Sequence, residues 1–406
     1  MQRLIGRRHF LKGASAVIAL GAVDACRFVP GTRDADGQPR LQLPPLRASV
    51  DRITRITVCT RPFRAQGPRS DVEKVGAKTV VHNYGHGGSG WSLSWGCGAL
   101  ATARAMATGE RDIAVIGCGA MGLTTAIQLQ RAGARVTIYA RELPPDVRSS
   151  WATGLYTPDS RICLEEHATP EFRKLWEQLA RQTFSTFQSF LGVAGTPVEF
   201  IDSYQVSDDG APRRREAPDG RPAFAELQRE LTPDLMPSRA EFQPGTHPFG
   251  QRFVRRNTQL MFNLASYQRT LLQDFTGNGG AIHITEFHTP GDFARLKEKT
   301  VINATGYGAR ALWGDRSLIP VRGQLTRMIP QPEVTYGLFY RDVSFVPRRD
   351  GWVFQVTGDN DYYGYDDETT QPSREEAEHA VTTIASLFSE AASGADGQQS
   401  SLPRSA

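Results

Sequence analysis

The chain has 406 residues, 39% of them hydrophobic and 22% charged, with a formal net charge of +4. This length suits one large or two medium domains, with a core that needs no cross-links. The charge excess is small, and aromatic and basic residues interleave over no long stretch, which argues against nucleic acid as a partner. The five cysteines are odd in number and form no C-x-x-C pair, so neither a disulfide framework nor a zinc site is expected.

The chain opens with Arg7-Arg8-His9-Phe10-Leu11-Lys12, a mildly apolar run over 13–23, and Val23-Asp24-Ala25-Cys26. This predicts a signal peptide over residues 1–25 of the twin-arginine type, which exports proteins already folded, and so a periplasmic or extracellular destination. Cleavage after Ala25 would leave Cys26 first, as in a lipoprotein anchored to the membrane, although Asp24 fits the usual lipobox poorly. Residues 26–50, rich in Pro, Arg, Asp and Gly, read as a linker. The β-branched runs 53–59 and 78–82 predict strands, and the alanine-rich run 93–107 a helix that ends over 108–111. A continuous apolar strand over 113–117, a helix over 123–131 stopped by Gly133, and a strand over 134–139 make a β-α-β unit.

Further along, Phe172, Leu175, Trp176, Leu179, Phe184, Phe187 and Phe190 repeat at helical spacing. Residues 260–275 predict another helix, stopped by Gly277-Asn278-Gly279-Gly280. Residues 300–304 predict an apolar strand, 320–363 a set of antiparallel strands and 375–388 a helix. The Ser-, Gly-, Ala- and Gln-rich segment 389–406 reads as a disordered tail.

Two glycine motifs carry the chemistry. Gly117-Cys118-Gly119-Ala120-Met121-Gly122 sits between a buried strand and a helix, where a dinucleotide fingerprint belongs. Gly117 permits the tight turn, Gly119 lets backbone approach a pyrophosphate, and Gly122 lets helix pack closely on sheet. The N-terminus of the following helix offers N–H groups and a positive dipole end to phosphates. Glu142, just past the second strand, is the candidate acid for the ribose hydroxyls. The second motif is His82-Asn83-Tyr84-Gly85-His86-Gly87-Gly88-Ser89-Gly90-Trp91-Ser92, with four glycines among residues 85–90. Such a loop lets a ligand lie on backbone N–H groups. No carboxylate or cysteine lies beside His82 or His86 in the sequence, so no metal is expected there.

This second stretch, continued by Leu93-Ser94-Trp95-Gly96, resembles the C-terminal flavin-binding signature of the D-amino-acid oxidase family, which includes glycine oxidase and D-aspartate oxidase relatives. The resemblance extends over roughly residues 52–388. Cys59-Thr60-Arg61-Pro62-Phe63-Arg64 resembles the family's Arg-Pro segment, which implies that Arg61 clamps the substrate carboxylate. Ser149-Ser150-Trp151-Ala152-Thr153-Gly154-Leu155 resembles its second flavin-contacting loop. Val301-Ile302-Asn303-Ala304-Thr305-Gly306 resembles the strand and turn over the adenosine side, and Pro320-Val321-Arg322-Gly323-Gln324 the family's Arg-Gly-Gln strand. By this match FAD is the cofactor, held by Gly117, Gly119, Ala120, Met121, Gly122 and Glu142, by Gly87, Gly88, Ser89, Gly90, Trp91 and Ser92, by Ser149, Ser150 and Gly154, and by Thr305 and Gly306. The Gly88 backbone would steer the substrate's amino group.

The order departs from the family, in which the Arg-Pro and glycine-loop segments close the chain. Here they precede Gly117, and the simplest account is circular permutation, with 108–111 as the new link. The family's active-site tyrosine is also missing. It falls at Ser344, or at Phe345 with a one-residue slip, and Tyr340, Tyr362, Tyr363 and Tyr365 are candidate substitutes, Tyr340 first.

The implied fold is α/β, a doubly wound Rossmann-type FAD-binding domain with a second, mainly antiparallel α+β substrate domain. The FAD-binding domain is expected over 51–154 and 291–314 with 366–388, and the substrate domain over 155–290 and 315–365. The implied activity is oxidative deamination of D-amino acids by dioxygen to 2-oxo acids, ammonia and hydrogen peroxide. A dehydrogenase passing electrons to a membrane acceptor and a non-catalytic FAD-binding protein are the alternatives.

Overall fold

The structure is a computed structural model that describes residues 40–211, 217–218 and 220–399, with side chains to residue 388. The signal peptide, Cys26 and most of the expected linker lie outside the described residues. The described residues from 41 onward form one compact unit. Its strands, in chain order, are β1 (Ile53–Arg64), β2 (Val72–Val75), β3 (Lys78–His82), β4 (Asp112–Ile116), β5 (Arg135–Ala140), β6 (Val198–Ser207), β7 (Ala240–Phe242), β8 (Phe253–Phe262), β9 (Ala281–Ile284), β10 (Thr300–Asn303), β11 (Leu318–Met328), β12 (Gly337–Tyr340), β13 (Val343–Val346) and β14 (Trp352–Val356). The α-helices are α1 (Gly90–Met106), α2 (Ala120–Arg131), α3 (Pro170–Gln188), α4 (Leu227–Leu231), α5 (Leu264–Gly277), α6 (Ala309–Leu312) and α7 (Arg374–Gln399).

Two sheets divide these strands. The first has the order β2-β3-β10-β4-β5-β9 and is parallel from β3 to β9. Its central strands are apolar on both faces because both are covered. Ile113, Val115 and Ile302 face a cluster built with α1, α2, α3 and α5, while Ala114, Ile116 and Val301 face Phe293, Leu296 and Leu312. The second sheet has the order β1-β11-β14-β13-β12-β6-β8-β7, antiparallel except where β12 runs parallel to β6. The two-sheet α/β architecture is the one expected.

Helix α3 shows the local logic. Thr169 caps it by accepting from the Phe172 N–H at 3.2 Å, Pro170 fits its first turn, and Trp176, Ala180, Phe184 and Phe187 face the core. It crosses α1 closely because Gly96 has no side chain: a Cβ there would lie 2.6 Å from the Leu179 Cα.

Sheet membership redraws the expected domain boundaries. Strand β1 pairs along its length with β11, so it belongs to the antiparallel sheet. Helix α7 lays Ala380, Val381, Ile384 and Leu387 on that sheet's Trp352 and Phe354, not on the nucleotide-binding layers. Helix α5 and β9, expected in the substrate domain, join the first sheet: Leu271 and Phe275 pack into its core and β9 extends it beyond β5. Residues 260–262 end strand β8, and the helix begins only at Leu264. Leu46 is buried, and Leu41, Leu43 and Val50 pack beside it, so residues 41–50 are not a free linker. Helix α7 continues to Gln399 where a disordered tail was expected from 389. These boundaries depend on partners distant in sequence, which local periodicity does not report.

The glycine-loop segment and the fingerprint, separated by different elements, share one core. Strand β3 pairs with β10, the neighbour of β4, and Asn83 Nδ2 donates to Thr125 Oγ1 on α2 at 3.1 Å. Residues 107–111 make the short link from α1 to β4, with Gly109 at φ +80°.

Candidate active site

The two sheets enclose a cavity of about 1870 Å³. That exceeds the roughly 300–1,000 Å³ of an ordinary small-molecule pocket, and leaves room for a dinucleotide and a substrate together. One arm runs over the C-terminal ends of the parallel strands, the usual ligand crevice of such sheets. The other lies against the antiparallel sheet.

In the first arm, β4 turns into α2 through Gly117 at φ +107°, where a Cβ would lie 2.5 Å from the Ala304 carbonyl oxygen. Gly119, Ala120 and Met121 line the cavity. Gly122 does not. A Cβ there would lie 2.8 Å from the Gly117 carbonyl carbon, so this glycine holds α2 against the turn. Ser149 ties three segments together: its Oγ accepts from the Ala120 N–H at 3.1 Å and its carbonyl from Trp91 Nε1 at 2.8 Å. Glu142 lines the cavity just past β5, ion-paired with Arg141 at 3.2 Å. Thr305, Gly306 and Gly154 line it as well. The residues present therefore fit an adenine-dinucleotide cofactor: a glycine turn no side chain can enter, a helix N-terminus and an acid at the second strand's end.

Three expected contacts need correction. Ser150 is buried away from the cavity, its Oγ donating to Gln268 Oε1 at 2.8 Å. Ser89 is also buried, its Oγ donating to the Ser160 carbonyl at 3.1 Å. The glycine loop does not lay all its N–H groups open to a ligand. Gly87 N–H donates to the Pro62 carbonyl and Gly88 N–H to the Ser160 carbonyl, both at 2.8 Å. Its glycines are required because the loop packs on Ser160-Arg161: a Cβ at Gly87 would lie 2.9 Å from the Arg161 carbonyl carbon. Gly87, Gly88, Gly90, Trp91 and Ser92 still line the cavity.

Arg61 stands in the second arm on β1, half-buried. No hydrogen bond or ion pair to its guanidinium occurs among the described residues. Burial lowers its pKa, opposed by the charges of Cys59 and Asp361. A half-buried cation with no ion pair among the described residues is suited to a carboxylate ligand. Gly323, on neighbouring β11, makes its space: a Cβ there would lie 2.8 Å from the Arg61 Cζ. The antiparallel sheet's wall is mixed, with Ser344 on β13, Gln355 on β14, and Asn257 and Gln259 on β8 among apolar residues such as Leu325 and Phe339.

Tyr340 is not in this site. Side chains alternate along β12, so Phe339 faces the cavity and Tyr340 faces the opposite cluster, its hydroxyl donating to the Asp208 carboxylate at 3.0 Å. Ser344, paired with Phe339 in register, takes the cavity position, while Phe345 points away. Of the other tyrosine candidates, Tyr363 lines the cavity, and Tyr362 and Tyr365 do not.

A cluster of Asp71, Glu73 and His82 lies outside the cavity. The carboxylates absent from the local sequence reach His82 through the fold, Glu73 Oε2 standing 3.0 Å from its Nε2. Arg69 bonds both acids and Trp313 Nε1 donates to Glu73, which accounts for the cluster as an ion-pair network.

Sequence reasoning passed over Ser160-Arg161, Gln355 and Asp361. Arg161 is buried at φ +50°, a costly backbone for a non-glycine residue, and its Nε donates to the Asp361 carbonyl at 2.6 Å. No local pattern marks these residues, since the fold alone brings them to the glycine loop.

A crevice of this build defines a dinucleotide-binding protein, and comparison with known proteins gives the family. Residues 112–400 match the model of the FAD dependent oxidoreductase family, DAO, and the chain belongs to that family. Its cofactor is FAD. A protein named D-amino-acid oxidase from Rubrobacter xylanophilus is 31% identical over 221 residues, 53% of this chain and 58% of that protein. A second of that name, from Streptomyces coelicolor, is 26% identical over 295 residues, covering 70% and 80%. The solved glycine oxidase from Bacillus cereus is 14% identical with a TM-score of 0.40, covering 61% of this chain and 70% of that one.

Proposed function

We propose that the protein is an FAD-dependent D-amino-acid oxidase that converts its substrate to a 2-oxo acid, ammonia and hydrogen peroxide. One observation carries the reading: Arg61, a guanidinium without a hydrogen-bond or ion-pair partner among the described residues, stands in the same cavity as the dinucleotide fingerprint. The relatives named D-amino-acid oxidase support the choice of enantiomer.

A bound flavin would supply hydride acceptance and return of the electrons to dioxygen. The chain's own residues bind and orient. Gly117, Gly119 and the α2 N-terminus would hold the phosphates, and Glu142 the ribose. Arg61 fixes the substrate carboxylate bidentately, so the amino acid presents its α-carbon in one orientation. No side chain has to take up the hydrogen leaving the α-carbon, so a serine at the position of the family's tyrosine is compatible with turnover. Hydrogen peroxide formed in air with a panel of D- and L-amino acids tests the reading. Peroxide with D-substrates supports it, and its absence with every amino acid refutes it.

The circular order is part of the proposal. The matched region begins at Asp112, and β1, β3 and the glycine loop complete the site from before it. This chain's break in the family order then falls between α7 and β1, and the segments on either side meet: Arg374 Nη2 donates to the Val50 carbonyl, just before β1, at 3.3 Å. Export by a twin-arginine signal, with Cys26 as a candidate lipid anchor, is also proposed, and the N-terminal sequence of the mature protein tests it.

A further inference from the structure

Asp361 lies on the loop after β14 and lines the same cavity as Arg61 and the glycine loop. A chain of contacts fixes it there. Gly87 N–H holds Pro62, the neighbour of Arg61, and Gly88 N–H holds Ser160. Arg161, next along, is buried in left-handed backbone, and its Nε binds the Asp361 carbonyl. Its Nη2 lies 3.6 Å from the Asp361 carboxylate, too long for a hydrogen bond. The loop then returns to β11, where Tyr365 pairs with Val321, itself the register partner of Arg61. Arg61 feels the Asp361 charge, which opposes the effect of its burial.

From this geometry we propose that Asp361 receives the substrate's ammonium while Arg61 holds the carboxylate. A zwitterionic amino acid carries an ammonium and a carboxylate on the same carbon, and the cavity offers a cation unpaired among the described residues and a partly solvated anion to match. The site thereby selects amino acids over simple carboxylates or simple amines. The inference rests on the amino-acid oxidase reading. Arg161 lies nearest the carboxylate, Arg61 feels its charge, and Asp159, Cys59 and, on its own loop, Tyr363 are the other titratable groups lining this cavity that bear on the proposal.

The test uses FAD-loaded full-length protein and compares wild type with Asp361→Asn. The probes are propionate, which has only the carboxylate, followed by its perturbation of the flavin spectrum, and D-alanine, followed by anaerobic flavin reduction from low to high pH. In Asp361→Asn, propionate should bind as in wild type or more tightly. The apparent affinity for D-alanine should fall about tenfold or more near neutral pH, the scale of a lost charge-assisted hydrogen bond. The loss should be largest at low pH and shrink as the substrate amine deprotonates, because only the ammonium form needs the anion. Asp361→Glu, which keeps the charge, should retain the wild-type pH profile. Unchanged D-alanine affinity and pH profile in Asp361→Asn would overturn the proposal and leave the oxidase reading standing. So would an equal loss of propionate binding in both variants, which would assign Asp361 a structural role. A wild-type flavin that no amino acid reduces would overturn both.

Discussion

Replacing Gly323 by alanine isolates what the position of Arg61 is worth. Gly323 lies opposite Cys59 in the β1–β11 register, and the Arg61 side chain, two residues further along the same face, folds across it. The added Cβ would stand 2.8 Å from Cζ and 3.3 Å from Nη1. Carbon atoms settle at about 3.5–4.0 Å, so the guanidinium must retreat by roughly 1 Å. It can do so, because no hydrogen bond among the described residues holds it, and the cost to stability stays under about 1 kcal/mol. The substrate carboxylate moves with the clamp, and a misplacement of that size costs on the order of 10²-fold in rate. Rapid-mixing measurement of flavin reduction should show kred/Kd for the best D-amino acid down by about 30–100-fold, with FAD content and Tm unchanged. Wild-type kinetics in Gly323→Ala would refute the assignment of Arg61 as the clamp. A large fall in Tm would refute the reasoning that the guanidinium is free to yield.

Removing the clamp outright, Arg61→Ala, should raise KM by about 10–150-fold, the range of one charge-assisted contact, and steady-state kinetics showing no change would contradict the site. Gly122→Ala offers no soft neighbour, since the new Cβ meets the Gly117 backbone at 2.8 Å. It should destabilise by at least about 1–3 kcal/mol and release FAD on purification, whereas a stable yellow protein would contradict the tight turn. His86 is buried and its pKa is pushed down to about 3, against about 6.5 when unfolded. Between those values the unfolded chain binds the extra proton, so stability should be complete above about pH 6.5 and fall as pH drops toward 3. In melting curves His86→Asn should show a shallower acid limb than wild type, and identical limbs would count against the assignment.

Much of the nucleotide-binding half was legible because its signals are local. The Gly117–Gly122 spacing, the apolar run before it and the helix after it are set by backbone geometry that only those residues satisfy. The glycine loop was legible as a motif, but its reason was only half readable. Gly87 and Gly88 are needed for contact with Ser160-Arg161, which stand about 70 residues away and carry no pattern of their own. Tyr340 was misplaced because the phase of a short strand decides which face a side chain takes, and a slip of one residue reverses it. The domain boundaries failed for a related reason. Strand β1 and helix α7 border the nucleotide-binding segments in sequence, yet the apolar faces they must cover belong to the antiparallel sheet.

The most direct test is the anaerobic absorbance spectrum of the purified protein titrated with D- and L-amino acids. The oxidised flavin band should bleach with D-amino acids and persist with their L-enantiomers. A flavin band that no amino acid bleaches would contradict the proposed activity, and a protein that takes up no FAD would contradict the site itself.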